Sequence, residues 1–141
     1  MADDQLQRFV MAQERHYTTA FEEIKNGRKR SHWMWYIFPQ LAGLGFSETS
    51  RYYAIRDREE ADAYLRHPAL GPRLVEISHE LLRLATDDAT AVFGSPDDLK
   101  LRSCMTLFSV VPDADPVFQA ILDKYFEGIP DGKTLGILSP E

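Results

Sequence analysis

The chain has 141 residues, 44% hydrophobic and 27% charged, with a formal net charge of -6. That length and balance give one core and one domain, expected over residues 1–141, and the chain is too apolar to be disordered. The acidic balance argues against broad binding to nucleic acid or to an anionic membrane surface.

The first element is a helix. Leu6, Phe9, Val10, Gln13, Tyr17, Ala20, Phe21 and Ile24 recur at spacings of three and four and share one face. Asp3 and Asp4 suit the positive end of its dipole, and Gly27 supplies a stop. Gln13 is polar on an otherwise apolar stripe and needs partners if buried. A basic run, Arg28-Lys29-Arg30, leads into Ser31-His32-Trp33-Met34-Trp35-Tyr36-Ile37-Phe38-Pro39-Gln40, which holds both tryptophans. Ser31 is placed to cap a short helix that Pro39 ends, and the segment is expected at the centre of the core.

Leu41 to Ser50 reads as a loop with a helical turn, after which Tyr52, Tyr53 and Ile55 return to the core. Asp57 caps a short helix carrying Ala61, Tyr64 and Leu65. Leu70, Leu74, Ile77, Ser78, Leu81 and Ala85 trace the next stripe, with Arg73, Glu76, Glu80 and Arg83 opposite. Ser95-Pro96-Asp97-Asp98 starts another helix, with Ser95 as cap and Asp98 closing a capping box. That helix runs to about Val110 and is apolar nearly all round, so it is central. Asp115-Pro116 repeats the start signal, and Gly128 ends the stripe from Val117 to Phe126. Pro130-Asp131-Gly132 is a turn, and Thr134 to Leu138 packs back as a last helical turn. No segment alternates like a strand, so the expected fold is all-α, a single compact multi-helix domain around a buried aromatic-rich segment.

Several chemical motifs are excluded by spacing. Gly132-Lys133-Thr134 lacks the glycine that a phosphate loop places five positions earlier, where Glu127 stands. Gly43-Leu44-Gly45 lacks the third glycine of a dinucleotide fingerprint, and no Gly-x-Ser-x-Gly elbow occurs. The histidines His16, His32, His67 and His79 form no zinc pattern, so neither a metal nor a cofactor is expected. His16, His67 and His79 read as surface or structural residues. Asp98 and Lys100 suggest a catalytic pair, but the capping role accounts for Asp98. Ser103 and Thr106 are expected to bond back along their own helix. Cys104 is a lone thiol in an apolar run, expected to be buried and in keeping with a reducing compartment. No apolar run approaches the roughly 20 residues of a membrane span, and the acidic start is unlike a signal peptide, so a cytoplasmic location is expected.

His32 differs from the other three, standing between the basic run and the aromatic cluster. One reading makes this a site for a small anionic or nucleotide-like ligand. Lys29 and Arg30 hold the anion, Trp33 stacks, Gln13, Tyr17 and Gln40 contribute polar contacts, and His32 moves a proton as the catalytic residue. In the other, the cations complement the end of the first helix, the aromatics fill the core, and the protein is a non-enzymatic interaction module.

Ala12-Gln13 with Tyr17, Gly27-Arg28-Lys29 and the whole of Ser31 to Gln40 resemble a bacterial family catalogued as domain-of-unknown-function family 1810. His67-Pro68 with Leu70-Gly71, and Met105-Thr106-Leu107-Phe108, extend the likeness over nearly the whole chain. One departure is Cys104, where a second serine is expected after Ser103. The resemblance implies a small, mostly helical single domain and carries no activity or catalytic residue. The label calpastatin, sometimes attached to this family, implies a disordered protease inhibitor, which the periodic core contradicts.

Overall fold

Residues 2–139 are described by a computed structural model, with side chains from Leu6 onward, so the expected dipole partners Asp3 and Asp4 lie outside the described side chains. The first stripe becomes α1 (Ala2–Lys25), with Leu6, Phe9, Gln13, Ala20 and Ile24 buried along one face. Gly27 ends it at a φ of 81°, where a side chain would be strained, and Arg28 N donates to the Glu23 carbonyl across the turn.

Eight shorter helices follow among the described residues: α2 (Met34–Ile37), α3 (Glu48–Tyr52), α4 (Arg58–Arg66), α5 (Leu70–Arg83), α6 (Ala89–Phe93), α7 (Asp97–Ser109), α8 (Val117–Phe126) and α9 (Gly132–Leu138). The one extended pairing among them is a parallel bridge between Leu41 and Ile55. The fold is all-α. Its axis is α7, where every residue from Leu101 to Phe108 is buried except Arg102. Around it pack α4, α6, α8 and α9, while α5 lies against α1, α4 and α8. Trp33, Phe38 and Phe93 form one ring cluster, with centroids 5.8 to 6.4 Å apart. Phe9, Tyr64, Phe108 and Phe118 form a second chain of rings through the core.

Local chemistry sets the joints. Asp57 accepts from Glu60 N at 2.9 Å and starts α4, as its position in the sequence predicts. His67 Nδ1 accepts from the Ala69 and Leu70 amides, a structural role at the start of α5. Gly71 packs so closely on α4 that an added Cβ would stand 2.0 Å from the Leu65 carbonyl oxygen. The carbonyls at the end of α5 are held from α8 by Lys124 Nζ, on Leu82 O and Leu84 O, and by the Tyr125 hydroxyl on Leu81 O. Ser103 and Thr106 do bond back to Leu99 O and Arg102 O, and they also grip Asp131, the cap of α9.

Three expectations are corrected. Ser31 caps nothing: α2 starts at Met34 without a side-chain cap, and the Ser31 hydroxyl turns back to Glu23. Ser95 and Asp98 form no capping box: α7 starts after Pro96 without a side-chain cap, and the Asp98 amide donates to the Gly94 carbonyl. Asp98 instead accepts from Thr90 Oγ1 and from Leu99 N. Tyr52 is not core but 60% exposed, as the last residue of α3, a helix with no buried residue. No described helix is long and apolar enough to cross a membrane.

Candidate functional site

The aromatic segment is anchored by a residue whose importance the sequence does not advertise. The Glu23 carboxylate accepts from Arg30 N (2.7 Å), Ser31 N (3.0 Å), Ser31 Oγ (2.6 Å) and the Trp33 indole N–H (2.8 Å). Burial alone would raise the Glu23 carboxyl, but the donors from Ser31, Arg30 and Trp33 outweigh it and hold it below its usual range. Trp33 is therefore pinned edge-on to α1 and only 1% exposed, with its ring inside the core.

Lys29 is also committed. Its ammonium lies 2.9 Å from Asp97 Oδ2 and 5.2 Å from the Trp33 ring. Lys100 takes the other oxygen of Asp97 at 3.1 Å and stands 5.2 Å from the Trp35 ring. One carboxylate thus bridges two lysines, and an incoming anion would compete with it for Lys29. The Arg30 and His32 side chains are exposed, and Gln40 is half-buried, its carbonyl accepting from Ile55 N.

Gln13, 2% exposed, is fully used inside the fold. Its amide donates to the Tyr36 carbonyl at 2.8 Å and to the Tyr64 hydroxyl at 2.9 Å, while its oxygen faces Arg73 Nη1 at 3.4 Å. Tyr17 binds neighbouring groups on α5, its hydroxyl meeting the Glu76 carboxylate and the Arg73 carbonyl. Burial and then the Glu76 hydrogen bond raise the Tyr17 phenol well above its usual value, so it stays protonated.

What Gln13 supports is the back of a different surface. Arg8, Met11, Ala12, Arg15 and His16 of α1 face Tyr36, Tyr52 and Tyr53 across a hollow of about 430 Å³. None of the seven residues singled out in the sequence lines it. At its floor the Tyr36 hydroxyl lies 2.8 Å from His16 Nδ1 and 3.3 Å from the His32 carbonyl oxygen. Tyr36 and Tyr53 stand 5.1 Å apart, Tyr52 and Tyr53 4.8 Å apart, which makes a wall of three phenol rings. Burial, and then the facing Tyr53, raise the Tyr36 phenol, so it remains a neutral donor near neutral pH. Arg8, Met11 and Tyr52 also border a second hollow of about 460 Å³ that continues past Arg51, Arg56 and Glu60. There Arg8 is fixed on the Tyr52 and Ala54 carbonyls, and Glu60 on Arg56 N, at 2.7 to 2.8 Å. No cluster of three His, Cys, Asp or Glu suited to a metal occurs among the described residues.

The family described as "Protein of unknown function (DUF1810)" matches residues 3–138. The chain belongs to this family. It is also similar to the conserved hypothetical protein Rv1873 from Mycobacterium tuberculosis, at 48% identity over 95% of this chain and 96% of that one, with a TM-score of 0.93. That neighbour's bacterial source agrees with the origin the resemblance implies. No curated protein matches.

In this DUF1810 chain, then, residue roles come from geometry alone. The hollow was partly legible: Arg8, Met11 and Arg15 repeat at spacings of three and four beside the apolar stripe, marking a second face of α1. The opposing wall was not, because the exposure of Tyr52 and the lean of Tyr53 follow from where α3 ends. His16 reads as an ordinary exposed residue until Tyr36 is seen against its ring, 5.6 Å between centroids.

Proposed function

We propose that this DUF1810 protein binds a small anionic ligand carrying a flat ring, in the hollow between α1 and Tyr36, Tyr52 and Tyr53. One observation carries the reading: two guanidiniums, an imidazole and three phenols line that hollow, and no carboxylate does. In a chain with a formal net charge of -6, a concave patch without a carboxylate is a local reversal of sign that favours an anion. Arg15 forms no ion pair among the described residues and is the cation open to a ligand. The tyrosine faces, with Met11 58% exposed beside them, suit a planar ring.

A thermal-shift screen of nucleoside monophosphates and sugar phosphates tests this. At about a hundredfold excess over Kd a ligand adds roughly 2.7 kcal/mol to the folded state. The expected pattern is stabilisation of the wild type that Arg15→Ala and Tyr52→Ala lose while Lys29→Ala and His32→Ala keep. Loss confined to the Lys29 and His32 variants would instead centre the site on residues 29–40. Stabilisation by no anion would end the ligand reading and leave an interaction module, whose most prominent feature is Phe46, 83% exposed.

A further inference from the structure

The floor of the hollow holds a hydrogen-bond arrangement with two states. The Tyr36 hydroxyl has one proton and two acceptors within reach, His16 Nδ1 at 2.8 Å and the His32 carbonyl at 3.3 Å. With a neutral imidazole the hydroxyl donates to Nδ1, which puts the imidazole proton on Nε2. With an imidazolium, Nδ1–H donates to the tyrosine oxygen and the hydroxyl turns to the His32 carbonyl. Neither state leaves a donor facing a donor, so His16 can gain a proton without breaking the floor.

The hollow sets several charged and titratable groups around His16. Arg8 and Arg15 line the hollow from α1, Tyr36 from α2, and Tyr52 and Tyr53 from the end of α3. Arg8 is already paired with Glu60 at 3.4 Å, Arg15 forms no ion pair among the described residues, and the other three groups are phenols. A bound anion would supply the missing negative charge, and a dianion would supply one for Arg15 and one for His16.

We propose that the ligand of this hollow is a phosphomonoester attached to a flat ring, and that His16 takes up a proton when the phosphate binds. The proposal rests on the anion reading above and goes beyond it by naming the charge state of the head group. A phosphomonoester is mostly dianionic above a pKa near 6, whereas a sulfate ester of the same shape stays monoanionic. Both ligands meet Arg15, but only the phosphate presents a second charge to His16. Hydrogen bonds and ion pairs to a charged partner in a partly desolvated site correspond to about a tenfold preference for the phosphate. The sign follows from linkage. Affinity is greatest where His16 is already protonated, and the advantage is lost as pH rises through the value for His16 in the complex. For the phosphate, affinity falls again once the ligand itself protonates, below its own pKa near 6, so its profile passes through a maximum. For the sulfate it rises steadily on acidification.

Calorimetric titration of the full chain with phenyl phosphate and phenyl sulfate, across pH 6 to 8.5 and in buffers of different ionisation heat, tests this. The expected result is tighter binding of the phosphate, by about tenfold at pH 7.5, with uptake of up to one proton. His16→Gln should bind both esters with similar affinity and without proton uptake, while Arg15→Ala should weaken both. His16 is exposed, so its replacement spares the core. Equal binding of the two esters by the wild type, or phosphate binding without proton uptake, overturns the proposal and leaves the anion reading standing. Binding of neither ester, with no stabilising anion in the thermal screen, removes both.

Discussion

Replacing Glu23 is the sharpest probe of how the aromatic segment is held. Glu23→Ala removes the common acceptor of four hydrogen bonds. Arg30 is exposed, so its amide recovers a water. The Trp33 indole N–H and the Ser31 amide and hydroxyl are partly buried and recover less. At about 0.7–1.3 kcal/mol for each of these three donors, which solvent partly re-pairs, the expected loss is about 2–4 kcal/mol. For a chain of this size, at about 3 °C per kcal/mol, the melting temperature falls by about 6–12 °C. Glu23→Gln keeps an oxygen where Oε1 takes three of the four bonds but loses the charge and the acceptor for the Ser31 hydroxyl, so about half that loss is expected. The acid limb gives a second readout. The Glu23 carboxyl is held below its usual range, so the folded chain binds its proton less readily than the unfolded one. Its stabilisation is complete above the unfolded value near 4.3 and disappears as pH falls through the lower folded value. Circular dichroism melts between about pH 3 and 6 should therefore show a shallower acid slope for Glu23→Gln than for the wild type. Identical slopes, or a Glu23→Ala loss under about 0.5 kcal/mol, would refute the reasoning.

Gln13→Leu strips partners from the buried Tyr36 carbonyl and Tyr64 hydroxyl and should cost about 2–3 kcal/mol in urea unfolding, with Tyr36 losing its fixed place against His16. Asp97→Asn leaves Lys29 and Lys100 facing each other without their shared carboxylate, a loss of about 1–2 kcal/mol that shrinks when the melt is repeated at high salt. Cys104 is fully buried, and burial pushes its thiol well above the usual value, so a thiol reagent should modify it only as fast as the chain opens, with the rate following added denaturant.

The helical stripes were legible because burial imposes a period on the chain, which α1, α5 and α8 follow, while α7 was legible as central because it is apolar nearly all round. Asp57 was legible as a cap because the bond it makes is three residues long. The interactions that decide the site are long-range. Glu23 sits on the polar side of α1 beside Glu22, and its partners are delivered only after Gly27 reverses the chain. Lys29 looks available for an anion until α7 brings Asp97 to it. Trp33 looks available for stacking until its indole edge is tied to Glu23 and its faces are enclosed by Phe38 and Phe93. A basic run beside an aromatic one therefore marked the neighbourhood of the hollow, while the fold spent most of those particular side chains on itself.

Gly71 has a mechanical consequence for the hollow. At Leu65 and Gly71, helices α4 and α5 meet backbone on backbone, with no soft side chain at that point to yield. Tyr64 on one helix and Arg73 on the other both touch Gln13, which in turn props Tyr36. The rear of the hollow is thus an anvil, and the freedom to adjust lies at its front rim, where Arg15 and Tyr52 have solvent to move into.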